Sequence, residues 1–136
     1  MIAIDTNILV RLLLGDEPQT QGHAAQKIFS RTQLGEKIFI SAFVLLETAW
    51  VLKNKGRTHK EIAEALEMVA NTDGIFVSLK TAVLEGLARM KNAPAGIGLA
   101  DCFILADSAS HDSLPLLTFD QALRNSEPVR TSNPSE

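Results

Sequence analysis

The chain has 136 residues, the size of one ordinary domain, and with 46% apolar residues it can bury a core and is no candidate for disorder. A single cysteine, Cys102, excludes an intramolecular disulfide and makes a reducing cytosol the natural setting. The formal charge of −3 excludes a general basic field for nucleic acid, and six Phe, one Trp and no Tyr speak against a sheet of base-stacking aromatics. The opening Met-Ile-Ala-Ile-Asp has neither the basic start of a signal peptide nor a run long enough to anchor in a membrane.

Ile2-Ala3-Ile4 reads as a short buried strand that ends at Asp5-Thr6-Asn7, a turn or helix cap. Ile8 to Leu14 predicts about two turns of helix closed by Gly15. Pro18 can open the next helix, which runs to about Thr32 with Ala24, Ala25, Ile28 and Phe29 facing inward. Lys37 to Ile40 is a second strand. Ser41 caps a helix to about Asn54, and Thr58 caps another in which Ile62, Ala65, Leu66 and Val69 recur at helical spacing. Gly74 precedes a third strand, Ile75 to Val77. Lys80 to Lys91 is helical, and Pro94, Gly96 and Gly98 mark the loop over 92–98. Leu99 to about Ser110 is a largely apolar helix, Leu114 to Leu117 is a fourth strand, and a weak fifth includes Val129 and Arg130.

Short apolar strands separated by amphipathic helices predict an α/β fold: a three-layer sandwich with a central, mostly parallel sheet of four to five strands flanked by helices. It forms one domain over 1–130, with 131–136 as a frayed tail. Ligands of such sheets sit outside the carboxyl ends of the strands. Asp5 follows the first strand and Asp120 the fourth, so in one parallel sheet they share that edge.

Glu47 is the one charge in Phe43 to Leu52, an otherwise apolar helix. Either it occupies a solvated stripe, or it is buried and needs a cation, a metal or a route to water, because an unpaired buried carboxylate costs several kcal/mol. Asp101 poses the same choice in Leu99 to Ala106, where the alternative is an acid favoured by the helix dipole in the first turn. Asp107, nearly two turns on, reads as surface or structural. Asp5 and Asp120 could each be simple caps. Taken together, the four acids can converge on one strand edge. Two like charges 4 Å apart repel by about 4 kcal/mol at an effective dielectric near 20, so such a pocket requires a divalent cation. All-oxygen donors suit Mg2+ or Mn2+ rather than Zn2+, and His23, His59 and His111 show no metal-binding spacing. A metal in such a pocket can acidify a bound water and stabilise charge on a phosphate. No nucleophile elbow or phosphate loop is present, and Gly96-Ile97-Gly98 follows no strand.

Ile-Asp-Thr-Asn at 4–7, Leu-Leu-Glu-Thr at 45–48, Leu-Ala-Asp-Cys at 99–102 and Leu-Thr-Phe-Asp at 117–120 resemble the PIN-domain nucleases, most closely the VapC-type toxins of toxin–antitoxin pairs. The resemblance spans nearly the whole chain with the motifs in the family's order. It implies a cytoplasmic Mg2+- or Mn2+-dependent endoribonuclease. Asp5, Glu47, Asp101 and Asp120 would be its acids: Asp5 and Asp101 as direct metal ligands, Glu47 and Asp120 binding directly or through water. Thr6, Asn7 and Thr118 would support them. It further implies RNA as substrate, a small antitoxin as partner and a homodimer.

Lys53, Lys55, Arg57 and Lys60 form a basic cluster after the Glu47 helix. Either they contact RNA phosphates or they are a solvated helix end. The apolar helices at 8–14 and 41–52 read mainly as core, with an antitoxin groove as the alternative. Three other readings stand beside the nuclease. An aspartyl-phosphate phosphatase would need Asp where Asn7 stands. A receiver domain would need Asp where Ser78 stands. The third is a nuclease-like fold kept only to bind protein.

Overall fold

Capping residues set several of the helix boundaries. A computed structural model describes residues 1–15 and 19–136, with side chains at 1–15 and 25–136. In chain order the elements are β1 (Ile2–Ala3), α1 (Thr6–Leu14), α2 (Gln19–Ser30), a 3-10 turn (Arg31–Leu34), β2 (Ile38–Ile40), α3 (Ala42–Asn54), α4 (His59–Ala70), β3 (Ile75–Val77), α5 (Lys80–Met90), α6 (Leu99–Ser110), β4 (Leu116–Leu117), α7 (Gln121–Ser126) and β5 (Thr131–Ser132). α1 starts two residues before the predicted Ile8 because Asp5 caps it, and it stops at Gly15, which takes the left-handed conformation. The Ser41 hydroxyl accepts from Phe43 N at the start of α3, and Thr58 and Glu61 form a reciprocal capping box on α4. The predicted roles of Pro18 and of the Ala24 side chain lie outside the described residues.

β1, β2 and β3 form a parallel sheet in that order, with Ile2 beside Ile38 and Ile38 beside Ile75. Side chains alternate across it. Ile38, Ile40, Ile75 and Val77 are buried in the core with Leu45, Leu52, Ile62, Leu66 and Leu87 from the helices. The opposite row, Ala3, Phe39 and Phe76, is more open; Phe76 is 45% exposed, with the Lys37 ammonium 5.5 Å from its ring centroid. α5 and α6 make the closest helix packing: a Cβ on Gly86 would fall 2.4 Å from the Phe103 ring. Among the described residues, no helix is long and apolar enough to cross a membrane.

The sheet is smaller than the predicted four to five strands. Among the described residues β4 does not join it and instead pairs in parallel with β5. The Leu116 and Thr118 N–H groups both donate to the β5 segment, at 2.8 and 3.0 Å, and Pro115 has no N–H to offer a further neighbour. The last strand is also displaced from its predicted place. Val129 is fully in solvent and Arg130 lies in a turn, whereas Thr131 and Ser132, assigned from sequence to a frayed tail, form the strand and Thr131 is buried.

Candidate active site

Each of the four acids is positioned by an element boundary or a helix face. Asp5 follows β1 and the buried Ile4; its backbone is extended and its Oδ1 accepts from Ile8 N at 3.1 Å. One carboxylate accepts several hydrogen bonds, so capping does not exhaust it. Thr6 and Asn7 form the first turn of α1, where Asn7 Oδ1 accepts from Arg11 Nε at 3.3 Å.

Glu47 resolves toward the solvated alternative. α3 buries Ala42, Leu45, Thr48, Ala49 and Leu52, and Glu47 lies exposed on the opposite side. The helix reads as apolar all round because two of its aromatic residues are not core: Phe43 is 78% exposed and Trp50 is 65% exposed. Positions 43, 47 and 50 fall on one helical face. Glu47 and Trp50 line a cleft of about 290 Å³ with Thr6, Asn7, Val10 and Val51. The neighbouring Thr48 is fully buried, and its hydroxyl has no hydrogen-bond partner among the described residues.

Asp101 is half-buried in the first turn of α6, after Gly98, which offers no side-chain cap. An acid there answers the unpaired N–H groups and the positive end of the helix dipole. The start of this helix, Leu99 and Ala100, meets Trp50 and Lys53 across a second cleft of about 190 Å³. The Glu47 face of α3 therefore stands between the beginnings of α1 and α6. Cys102, next to Asp101, is buried, and its thiol is pushed up to about 11 by burial first and by the Asp101 charge second. It is an inert core thiol at neutral pH.

Asp120 caps α7, with Oδ1 accepting from Leu123 N at 3.1 Å, and its own N–H donates to Thr118 Oγ1 at 3.0 Å. Arg124 donates to the Thr118 carbonyl at 2.9 Å. Asp120 stands at the carboxyl end of β4 and Asp5 at that of β1, but these strands belong to different sheets. The shared sheet edge expected from sequence thus does not relate them. Asp120 and Thr118 line neither cleft.

Among the described residues, no three Asp, Glu, His or Cys side chains are grouped closely enough to hold one ion. The carboxylates are the right donor type for a hard cation, and one cleft brings Glu47 together with Thr6 and Asn7, next to Asp5 in the chain. Asp107 faces solvent in part, 3.6 Å from His111 Nε2, consistent with a structural role. Of the basic cluster, Lys53, Lys55, Arg57 and Lys60 are exposed around the end of α3 and the start of α4, and Lys53 Nζ donates to the Ala95 carbonyl at 3.4 Å. Sequence reasoning did not single out Trp50, which belongs to a helix read mainly as core. The available signal was its spacing of three from Glu47 and seven from Phe43.

A family model for the PIN domain matches residues 2–127. The chain belongs to the PIN-domain family, whose members are typically Mg2+-dependent nucleases. No curated protein and no solved structure matches it.

Proposed function

We propose that the protein is a Mg2+- or Mn2+-dependent endoribonuclease, and the toxin of a toxin–antitoxin pair. The observation that carries this reading is the cleft in which Glu47 faces Thr6 and Asn7, directly after Asp5, within a chain matched to the PIN family over 2–127. Asp5 and Asp101 would hold the cation, with Glu47 and Asp120 binding it or its water. When bound, such an ion supplies an acidified water and stabilises charge on the phosphate and the leaving oxygen. The chain's own part is to present hard oxygen donors at the starts of α1 and α6 and on the solvated face of α3. Thr6 and Asn7 supply neutral hydrogen-bonding groups at the cleft where a strand can lie. Lys53, Lys55, Arg57 and Lys60 would meet flanking phosphates, which positions RNA without reading its sequence. A small antitoxin and a second copy of the chain are the partners that accompany this reading, and it places the protein in the cytoplasm.

A second reading is favoured by one observation, that among the described residues no three such side chains are grouped to hold an ion: a nuclease-like fold that binds protein and does not cut. Incubation with total RNA and with tRNA, with and without Mg2+, separates the two. The proposal expects cut ends that appear only with the metal and are lost in Asp5→Asn while the circular-dichroism spectrum is unchanged. Cleavage retained by Asp5→Asn would refute the site assignment, and no metal-dependent cleavage at all would favour the second reading.

A further inference from the structure

The segment from β4 to β5 is bonded to itself more firmly than to the rest of the molecule. Leu116 N donates to the Arg130 carbonyl at 2.8 Å and Thr118 N to the Ser132 carbonyl at 3.0 Å. Arg124 donates to the Thr118 carbonyl at 2.9 Å, and the Thr131 hydroxyl donates to the Glu127 carbonyl at 2.7 Å. Among the described residues, no backbone hydrogen bond runs from 116–136 to the elements before it. The turn at 111–113 is bonded back to Ser108 and Ala109, so only Leu114 and Pro115 lie between that turn and Leu116.

What crosses the seam is a little apolar surface and a cluster of charge. Leu123 is buried in the core and Leu116 packs against it in part. Arg89 of α5 meets Glu127 at 2.8 Å and Arg130 meets Glu85 of α5 at 3.2 Å, while Arg89 and Glu85, 3.5 Å apart, join the two pairs into one cluster. That cluster is not fully satisfied. Among the described residues, Arg89 Nε and Arg130 Nη1 are buried without a hydrogen-bond acceptor. A buried donor left unpaired costs more than a partly exposed ion pair returns, and parting the cluster gives both donors back to water. Beside it, a cavity of about 500 Å³ bordered by Ala88, Cys102, Leu105 and Leu123 leaves the seam without the close packing of an interior.

We propose that residues 116–132 form an electrostatically latched arm that docks on α5 and α6 and undocks as one piece, pivoting at Leu114 and Pro115. Thr118 and Asp120 ride on the arm. The bond from Asp120 N to Thr118 Oγ1, at 3.0 Å, lies inside it, so their mutual geometry survives undocking, whereas docking alone sets their place against Asp5, Glu47 and Asp101. The output of the latch rests on the endoribonuclease reading above: docking delivers the fourth acid.

The test follows hydrogen exchange of the full chain by mass spectrometry at about 0.05 M and about 1 M KCl, which span strong and weak charge interaction. Cys102, which borders the cavity, is alkylated in parallel with iodoacetamide at fixed pH, with glutathione as the reference for any effect of salt on the reagent. The variant is the double substitution Glu85→Gln with Glu127→Gln, which keeps the side-chain shapes and removes both pairs. In the natural protein, high salt should speed exchange over 116–132 and alkylation of Cys102 in step, by roughly 5- to 30-fold for two screened pairs. Exchange in β2 and α3 and the circular-dichroism spectrum should stay unchanged. The double variant should be fast already at low salt and lose the salt dependence.

Exchange over 116–132 that ignores salt, or that rises together with β2 and α3, would overturn the latch. So would a double variant that keeps the salt dependence of the natural protein. These readouts use neither RNA nor metal, so they judge the latch apart from the nuclease reading. Where metal-dependent cleavage is present, the double variant should cut more slowly at low salt; equal cleavage by the two proteins would overturn the delivery of Asp120 by docking.

Discussion

Two regions of the molecule are held by different forces. The body, β1–β3 with α3 to α6, is fixed by burial: Leu45, Ile62, Leu66 and Leu87 are all fully or almost fully buried in one apolar cluster. The C-terminal unit, β4 to β5, buries Leu123 in that cluster with Leu116 packed against it in part, and is tied to α5 by charge. Arg89 reaches Glu127 at 2.8 Å, and Arg130 reaches Glu85 at 3.2 Å. Between the two regions lies a cavity of about 500 Å³ lined by Glu85, Arg89, Cys102, Leu123 and Glu127. The body carries Asp5, Glu47 and Asp101, and the unit carries Asp120 with Thr118. Apolar burial is not subject to charge screening, whereas partly exposed ion pairs are each worth up to about 1 kcal/mol and are screened. Three of the proposed acids thus stand on a rigid frame and the fourth on a tethered one.

Changes in the body should cost most. Leu66→Ala should lower unfolding free energy by about 2–5 kcal/mol, read from the urea midpoint; a loss below about 1 kcal/mol would show that the body is not the source of stability. Cys102, at the seam, should react with iodoacetamide at pH 8 about 100-fold more slowly than an ordinary thiol, because its thiolate is suppressed. The linkage has a definite sign. The fold prefers the neutral thiol, so this stabilising contribution is complete below about pH 9 and is lost as pH rises through about 11. Fast alkylation at pH 8 would mean that the seam opens. Gly86→Ala should cost about 1–3 kcal/mol in thermal denaturation, although alanine is the better helix former, because its methyl group meets the Phe103 ring. An increase in stability would show that α5 and α6 can part. The smallest effect belongs to the tether. Glu127→Gln should cost no more than about 1 kcal/mol, yet it should speed hydrogen exchange across residues 116–132 while leaving β1–β3 unchanged. Uniform exchange over both regions would erase the distinction.

The same division governs how much was legible in the sequence. Helix limits before the C-terminal unit follow from local chemistry: Ser41, Thr58 and Gly15 act where their residue types predict. In the C-terminal unit β4 lies within the predicted Leu114 to Leu117, but α7 has six residues and β5 two, so neither periodicity nor apolar content marks those two. The pairing of β4 with β5 depends on which neighbour receives two N–H groups, which no local pattern encodes. At the site, the residue types of Asp5, Glu47, Asp101 and Asp120 and their order were visible, but not their mutual placement. Glu47 was left between a solvated and a buried reading for a physical reason. Apolar content does not by itself separate core from surface, and Phe43 and Trp50 share the carboxylate's face in solvent.

The central claim is that acids from separate elements hold one cation, and it is tested most directly by counting bound Mn2+ by electron paramagnetic resonance in the natural protein, Asp101→Asn and Asp120→Asn. The account predicts that Asp101→Asn binds more than about 100-fold more weakly, as a lost direct ligand on the body, and that Asp120→Asn loses about 10- to 100-fold, as an outer partner on the tethered unit. Equal Mn2+ affinity in all three proteins would contradict it.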